Sequence, residues 1–184
     1  MAKKIMILRH GEKPSGDGLV RGVAEDGSHD PNELSVRGWQ RAGALIGFFA
    51  PANGQFAHAG LAKPDAIFAS AASGHIESLR SQHTVQGLAQ FMGKKVNLHH
   101  TRGEEKALVE DVLATDGVVL VAWEHGAIID IANRILGDDK SAPQKWPEAR
   151  FDLVWVFDRE ANADKWKFTQ VAQMLLPGDS AHVL

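Results

Sequence analysis

Two apolar stretches of this sequence end in the same dipeptide. Ile5-Met6-Ile7-Leu8 runs into Arg9-His10-Gly11, and Val119-Leu120-Val121-Ala122-Trp123 runs into Glu124-His125-Gly126. A short continuous apolar run is the pattern of a strand buried on both faces. Ligands of an open α/β sheet bind beyond the carboxyl ends of its strands. Two parallel neighbours ending this way would therefore deliver both imidazoles to one crevice. A glycine after each histidine lets the backbone turn sharply and approach a ligand closely. Arg9 adds a planar, permanently charged fork for two oxygens. A helix starting after His125 would turn its free N–H groups and dipole on the same place. The ligand these groups suit is a phosphoryl group, which a neutral imidazole attacks in line while cationic donors hold its equatorial oxygens.

A departing oxygen needs a proton, and water attack on a phosphohistidine then needs a base. Glu124 stands next to His125, yet adjacent residues of a strand face opposite sides, so a structural role suits it as well as a catalytic one. Glu104 and Glu105 follow Arg102-Gly103 at an expected helix start, where carboxylates also serve helix electrostatics. Gly11, Glu12 and Gly126 are expected to contact the substrate along the two turns, Glu12 orienting the site rather than donating a proton. Lys13 is within reach of a second charged group on the ligand.

Other chemistries are excluded or disfavoured. There is no cysteine, which removes thiolate nucleophiles, disulfides and cysteine-based zinc sites. His99-His100 lacks any metal-ligand frame, and adjacent residues do not easily bind one tetrahedral ion, so no metal is expected. Residues 11–27 are rich in glycine but lack the spacing of a nucleotide-binding P-loop or dinucleotide fingerprint. No cofactor is expected. A formal net charge of -3 gives no general attraction to nucleic acid or an anionic membrane.

The elements that must position these residues alternate between strand and helix. Strands are expected at residues 5–8, 66–69, 95–99, 118–122, 153–157 and 168–174, the last two antiparallel and nearer an edge. Helices are expected from an N-cap at Ser35 to near Pro51, over 77–92 and 104–114, and after His125. Val36, Trp39, Ala42, Gly43, Ile46 and Phe49 mark the inward face of the first helix, and Leu79, Leu88 and Phe91 that of the second. The long polar segment 11–33 is of the length that is usually functional and is expected to cover the site. The segment 176–184 reads as poorly ordered. At 184 residues this is one domain over 1–184, an α/β three-layer αβα sandwich with a mostly parallel central sheet. The apolar run at the start is too short for a signal peptide, and 118–123 is far below a membrane span, so a cytoplasmic protein is expected.

Beyond the first motif, further landmarks follow in order. Leu8-Arg9-His10-Gly11-Glu12 resembles the arginine-histidine-glycine signature of the histidine phosphatase superfamily, in its phosphoglycerate mutase-like branch. Leu34-Ser35-Val36-Arg37-Gly38-Trp39-Gln40-Arg41-Ala42 is similar to that family's next helix start. Arg80-Ser81-Gln82-His83-Thr84 looks like its second arginine motif, and Glu124-His125-Gly126 like its second histidine. The resemblance covers most of the chain and implies a phosphoglycerate mutase-like fold. It further implies that His10 becomes phosphorylated while Arg9, Arg80 and His125 bind the phosphate without a metal. The step to Arg80 is longer than the family's, and His83 stands where the family has glutamine. His75 and His83 flank Arg80 as candidates to line the pocket. Glu104 lies near the family's acid in chain order, although no clear copy of the mutases' acidic motif is present.

The expected activity is that of a metal-independent phosphatase acting on a small phosphoester or phosphoramidate. Two alternatives stand beside it. One is a phosphoglycerate mutase-type phosphotransferase, and the other is a module that binds a phospho-ligand without turnover. Nothing in the sequence names the physiological substrate or the oligomeric state.

Overall fold

A computed structural model describes residues 1–74, 77–159 and 165–184. Among the described residues six strands and four helices follow one another, alternating as far as β5: β1 (Ala2–Arg9), α1 (Val36–Phe49), β2 (Ala66–Ala69), α2 (Arg80–Phe91), β3 (Val96–Asn97), α3 (Glu105–Ala114), β4 (Gly117–Trp123), α4 (His125–Leu136), β5 (Leu153–Arg159) and β6 (Trp166–Ala172). They form one sheet in the order β3-β2-β4-β1-β5-β6. Strands β1 to β4 are mutually parallel, whereas β5 and β6 run antiparallel at one side. Among the described residues no helix is long and apolar enough to cross a membrane.

The three layers follow from the period of two along the central strands. Ile5 and Ile7 of β1, Val119, Val121 and Trp123 of β4, and Trp155 and Phe157 of β5 point to one face, where Leu108, Val112, Ile128 and Ile131 of α3 and α4 close the core. Met6, Leu8, Leu120, Ala122, Val154 and Val156 point to the other, against Leu45, Phe48, Val85 and Leu88 of α1 and α2. Each of the larger of these side chains contributes roughly 1.5–3 kcal/mol by leaving water. Both faces are covered, which is why these strands read as unbroken apolar runs.

This topology opens a crevice at one end of the sheet. β1 and β4 pair in parallel with Leu8 opposite Ala122 and Arg9 opposite Trp123. The chain leaves β1 for α1 on one face and leaves β4 for α4 on the other. Connections that part in opposite directions open a crevice at the carboxyl ends of the two strands. His10 and His125 are the residues at that crevice.

Three expectations about the elements need correction. The inward face of α1 is only partly the expected one: Ala42 and Phe49 are buried, but Val36 and Gly43 are exposed, and Gly38, Arg41, Leu45 and Phe48 are buried as well. The cause is Arg41, a charged residue that is turned inward to meet buried carboxylates. Helix α2 starts at Arg80 rather than near residue 77, and Phe91 at its end is exposed. The segment after β6 is also ordered. Gln173 and Leu184 bond back to β5 and β6, and Asp179 is tied into α1.

Candidate active site

His10 is almost wholly enclosed, at 4% exposure. Its backbone N–H extends the β1–β4 ladder by one bond to the Trp123 carbonyl (3.0 Å). The ring Nδ1 lies 2.7 Å from the Gly11 carbonyl. A carbonyl only accepts, so Nδ1 carries the proton of the neutral ring and Nε2 keeps its lone pair. Burial, with the charges of Arg9, Arg80 and His125, pushes His10 down to about 3, against the smaller opposing effect of the Gly11 bond. The ring is thus neutral at ordinary pH and able to act as a nucleophile.

Arg9 is fully buried beside it. Its Nη1 donates to the carbonyls of Glu148 and Arg150, the latter at 3.1 Å. The guanidinium carbon lies 3.8 Å from the centre of the Phe151 ring, a cation–π distance. Phe151 also faces His10, with ring centres 6.1 Å apart. The remaining donors, Nε and Nη2, are buried and unpartnered. Burial lowers Arg9 to about 10, partly offset by Glu148, Glu124 and Glu12, and it stays charged at neutral pH.

The turn after His10 is clamped from two directions. The Gly11 N–H donates to Thr84 Oγ1 (2.8 Å), whose hydroxyl donates to the Arg80 carbonyl (2.6 Å). This ties the start of α2 to the His10 turn. Arg80 itself donates from Nε to the Glu33 carbonyl and from Nη2 to the Pro31 carbonyl. Burial lowers it, and its charge acts on both Arg9 and His10. On the other side, Gly38 packs so tightly on the Glu12 carbonyl that a Cβ would approach to 2.4 Å, so the glycine is required there.

His125 opens α4, and β4 has ended two residues earlier. The strand alternation expected to part Glu124 from His125 therefore does not apply. Glu124 is the N-cap of α4, its Oε1 accepting from Gly126 N–H (3.2 Å) and lying 3.5 Å from His125 Nδ1. The helix N-terminus expected to hold an anion already holds this carboxylate, and the Gly126 N–H is engaged by it. Arg102 Nε lies 2.9 Å from Glu124 Oε2. Burial lowers His125, Arg9 adding to it and Glu124 opposing it. His125 Nδ1 is buried without a hydrogen-bond partner.

The remaining candidates divide. Lys13 bridges to Glu148 (3.1 Å), and the charges of both act on His125. Glu12 is held by Arg37 and Arg41, with distances of 2.8–3.0 Å. His83 is buried: its Nδ1 lies 2.8 Å from Glu33 Oε2, and its ring lies tilted against Trp39 with centres 5.2 Å apart. It supports the Glu33 backbone that Arg80 bonds. Glu104 is exposed and accepts from Thr101 N–H (2.8 Å), whereas Glu105 turns inward to Trp123 Nε1 (3.1 Å). His100 pairs with Asp111 at 2.7 Å. His75 lies outside the described residues. Sequence reasoning missed the segment 147–151, which supplies two carbonyls and a ring to Arg9. Backbone carbonyls leave no side-chain signature, although Arg150-Phe151-Asp152 ahead of an apolar strand was a visible signal.

No family model matches the chain, and no curated protein matches it in sequence. Solved structures do match in shape. A putative phosphohistidine phosphatase SixA from Agrobacterium tumefaciens is 18% identical, with a TM-score of 0.52 over 92% of this chain and 98% of that one. The alpha-ribazole phosphatase of Shigella flexneri is 16% identical, with a TM-score of 0.53 over 96% and 99%. The protein histidine phosphatase SixA in complex with tungstate is 10% identical, with a TM-score of 0.56 over 92% and 97%. At such identities the likeness is one of fold. The chain shares the phosphoglycerate mutase-like α/β fold of these structures.

Proposed function

We propose that the protein is a metal-independent phosphatase that works through a phosphohistidine on His10. The observation that carries this reading is the Arg9 guanidinium: two of its donors are buried and unpartnered next to a neutral imidazole whose Nε2 is free. A buried cation with idle donors is costly unless an anion completes it. An oxyanion of phosphorus, with oxygens for Arg9, Arg80 and His125, fits that need.

In the first step the Nε2 lone pair forms a bond to phosphorus, and the bond from phosphorus to the leaving oxygen or nitrogen breaks. Charge on the equatorial oxygens is met by Arg9, Arg80 and His125. The Gly11 carbonyl holds Nδ1–H and so stabilises the positive ring that results. In the second step water displaces His10 from phosphorus, releasing inorganic phosphate. Of the carboxylates considered as proton donors, Glu124 is the one beside His125; Glu104 is turned outward. Acyl phosphates and phosphohistidine release a carboxylate or a neutral imidazole, leaving groups that need little help from an acid, and the site suits them for that reason. The phosphatases that share the fold support hydrolysis over mutase chemistry.

The test is turnover of p-nitrophenyl phosphate by wild type and His10→Ala with excess chelator. Chelator-resistant activity that His10→Ala abolishes supports the reading. Activity that survives in His10→Ala refutes it, and tight vanadate binding without turnover of a wide panel would favour a binding module.

A further inference from the structure

The segment 173–184 grips the crevice from both sides. Asp179, with a side chain 2% exposed, accepts from Arg41 Nη2 at 2.7 Å and from Arg41 Nη1 at 3.1 Å. The same guanidinium donates to both Glu12 oxygens, at 2.8 and 3.0 Å. Glu12 follows Gly11 directly, and its carbonyl also receives Ser35 N–H and Ser35 Oγ. Asp179 is therefore one charge away from the turn that carries His10.

The second grip is on the Arg9 cradle. Ser180 N–H donates to Asp152 Oδ2 (2.6 Å), and Asp152 Oδ1 accepts from Arg150 Nε (2.7 Å). Arg150 Nη2 donates to the His182 carbonyl (2.7 Å), and Gln173 Nε2 to the Phe151 carbonyl (3.3 Å). Arg150 and Phe151 are the residues whose carbonyl and ring hold Arg9. A cavity of about 290 Å³ lies between the two grips, lined among others by Glu12, Arg41, Phe151 and Asp179.

Asp179 is also preorganised for this task. Its Oδ2 accepts the Leu175 and Leu176 N–H groups, at 2.8 and 3.0 Å, so the carboxylate is fixed by its own loop before it meets Arg41. Buried ion pairs of this kind cost desolvation, and a hydrophobic replacement often stabilises a protein more. What the pair supplies here is orientation. Resting on the phosphatase reading, we propose that Asp179 is a positioning residue for the His10 reaction, acting through Arg41 on Glu12 and the His10 turn. It touches neither substrate nor the reacting atoms.

Small displacements of a nucleophile are expensive: a shift of about 1 Å can cost on the order of 100-fold in rate. Asp179→Asn keeps the shape and an acceptor for the loop N–H groups but removes the negative charge that faces Arg41. The expected result is a fall in kcat of roughly 10- to 100-fold with KM changed far less. The His10 ring resonances should move in the absence of ligand. Glu12→Gln should lose kcat as well, and the double variant should lose no more than the worse single one, as coupled residues do. Ile135→Val, a core change on the far face of the sheet, is the stability control and should keep kcat.

Three results would overturn the proposal: wild-type kcat in a folded Asp179→Asn, unmoved His10 resonances, or losses that simply multiply in the double variant. Should Asp179→Asn prove unstable, Asp179→Glu must restore part of kcat along with the fold, and failure to do so also counts against it. If the wild type itself turns over no phosphoester, the phosphatase reading fails separately, and the His10 resonances alone decide whether Asp179 positions that ring.

Discussion

The guanidinium of Arg9 rests 3.8 Å from the centre of the Phe151 ring, and this contact sets which of its donors face the crevice. With Nη1 committed to two carbonyls, Nε and Nη2 are the pair left for a ligand. Phe151→Leu keeps the apolar bulk and removes the ring's attraction for the cation. A desolvated cation–π contact is worth about 1–2 kcal/mol, so kcat/KM for an aryl phosphate should fall by roughly 5- to 30-fold. Steady-state kinetics with a matched melting temperature would check this.

Replacing Arg9 tests the fork itself. Arg9→Lys keeps the charge but offers one point where the guanidinium offers two donors. Loss of a preorganised donor of this kind costs about 100- to 1,000-fold in kcat. Single-turnover kinetics would show whether the loss falls on phosphorylation of His10, as expected, or on hydrolysis of the intermediate.

Thr84 joins the first motif to the second arginine through one hydroxyl. Thr84→Val is nearly isosteric but leaves the Gly11 N–H without an acceptor in a buried place. An orphaned buried donor costs about 1–3 kcal/mol, so urea unfolding should show a drop of that size. Turnover should fall too, because the His10 turn and the start of α2 are no longer tied.

The neutral state of His10 has a consequence for stability. Its folded value, about 3, lies below the ordinary value of 6.5, because burial first and neighbouring cations next oppose the charged ring. The unfolded chain therefore binds the extra proton between these two values. Its contribution to stability is fully present above about pH 6.5 and is lost as pH falls toward 3. His10→Gln should flatten the pH dependence of unfolding within that window. Imidazole signals should show the wild-type ring neutral down to near pH 4.

How much of this was legible in the sequence depends on which groups carried each feature. The strands leading to His10 and His125 were visible because burial on both faces leaves an unbroken apolar run, whereas their pairing in the sheet was only a condition of the reading, which the β1–β4 ladder meets. Arg41 was not legible as a buried residue. An arginine on an amphipathic helix reads as solvent-facing, and its partner Asp179 is 138 positions away along the chain. The order of the segment 176–184 escaped for a related reason: it has loop composition and is held by backbone groups and single carboxylates. Glu124 was misplaced by one residue of strand, since alternation was applied past the point where β4 ends.

The most direct test is to mix the wild-type enzyme with labelled acyl or aryl phosphate and quench in base, where phosphohistidine survives. Label recovered on the peptide carrying His10, formed and discharged at rates that match turnover, is the expected result. Turnover with no label on His10, or label on another residue, would mean that the phosphoryl group takes a different route.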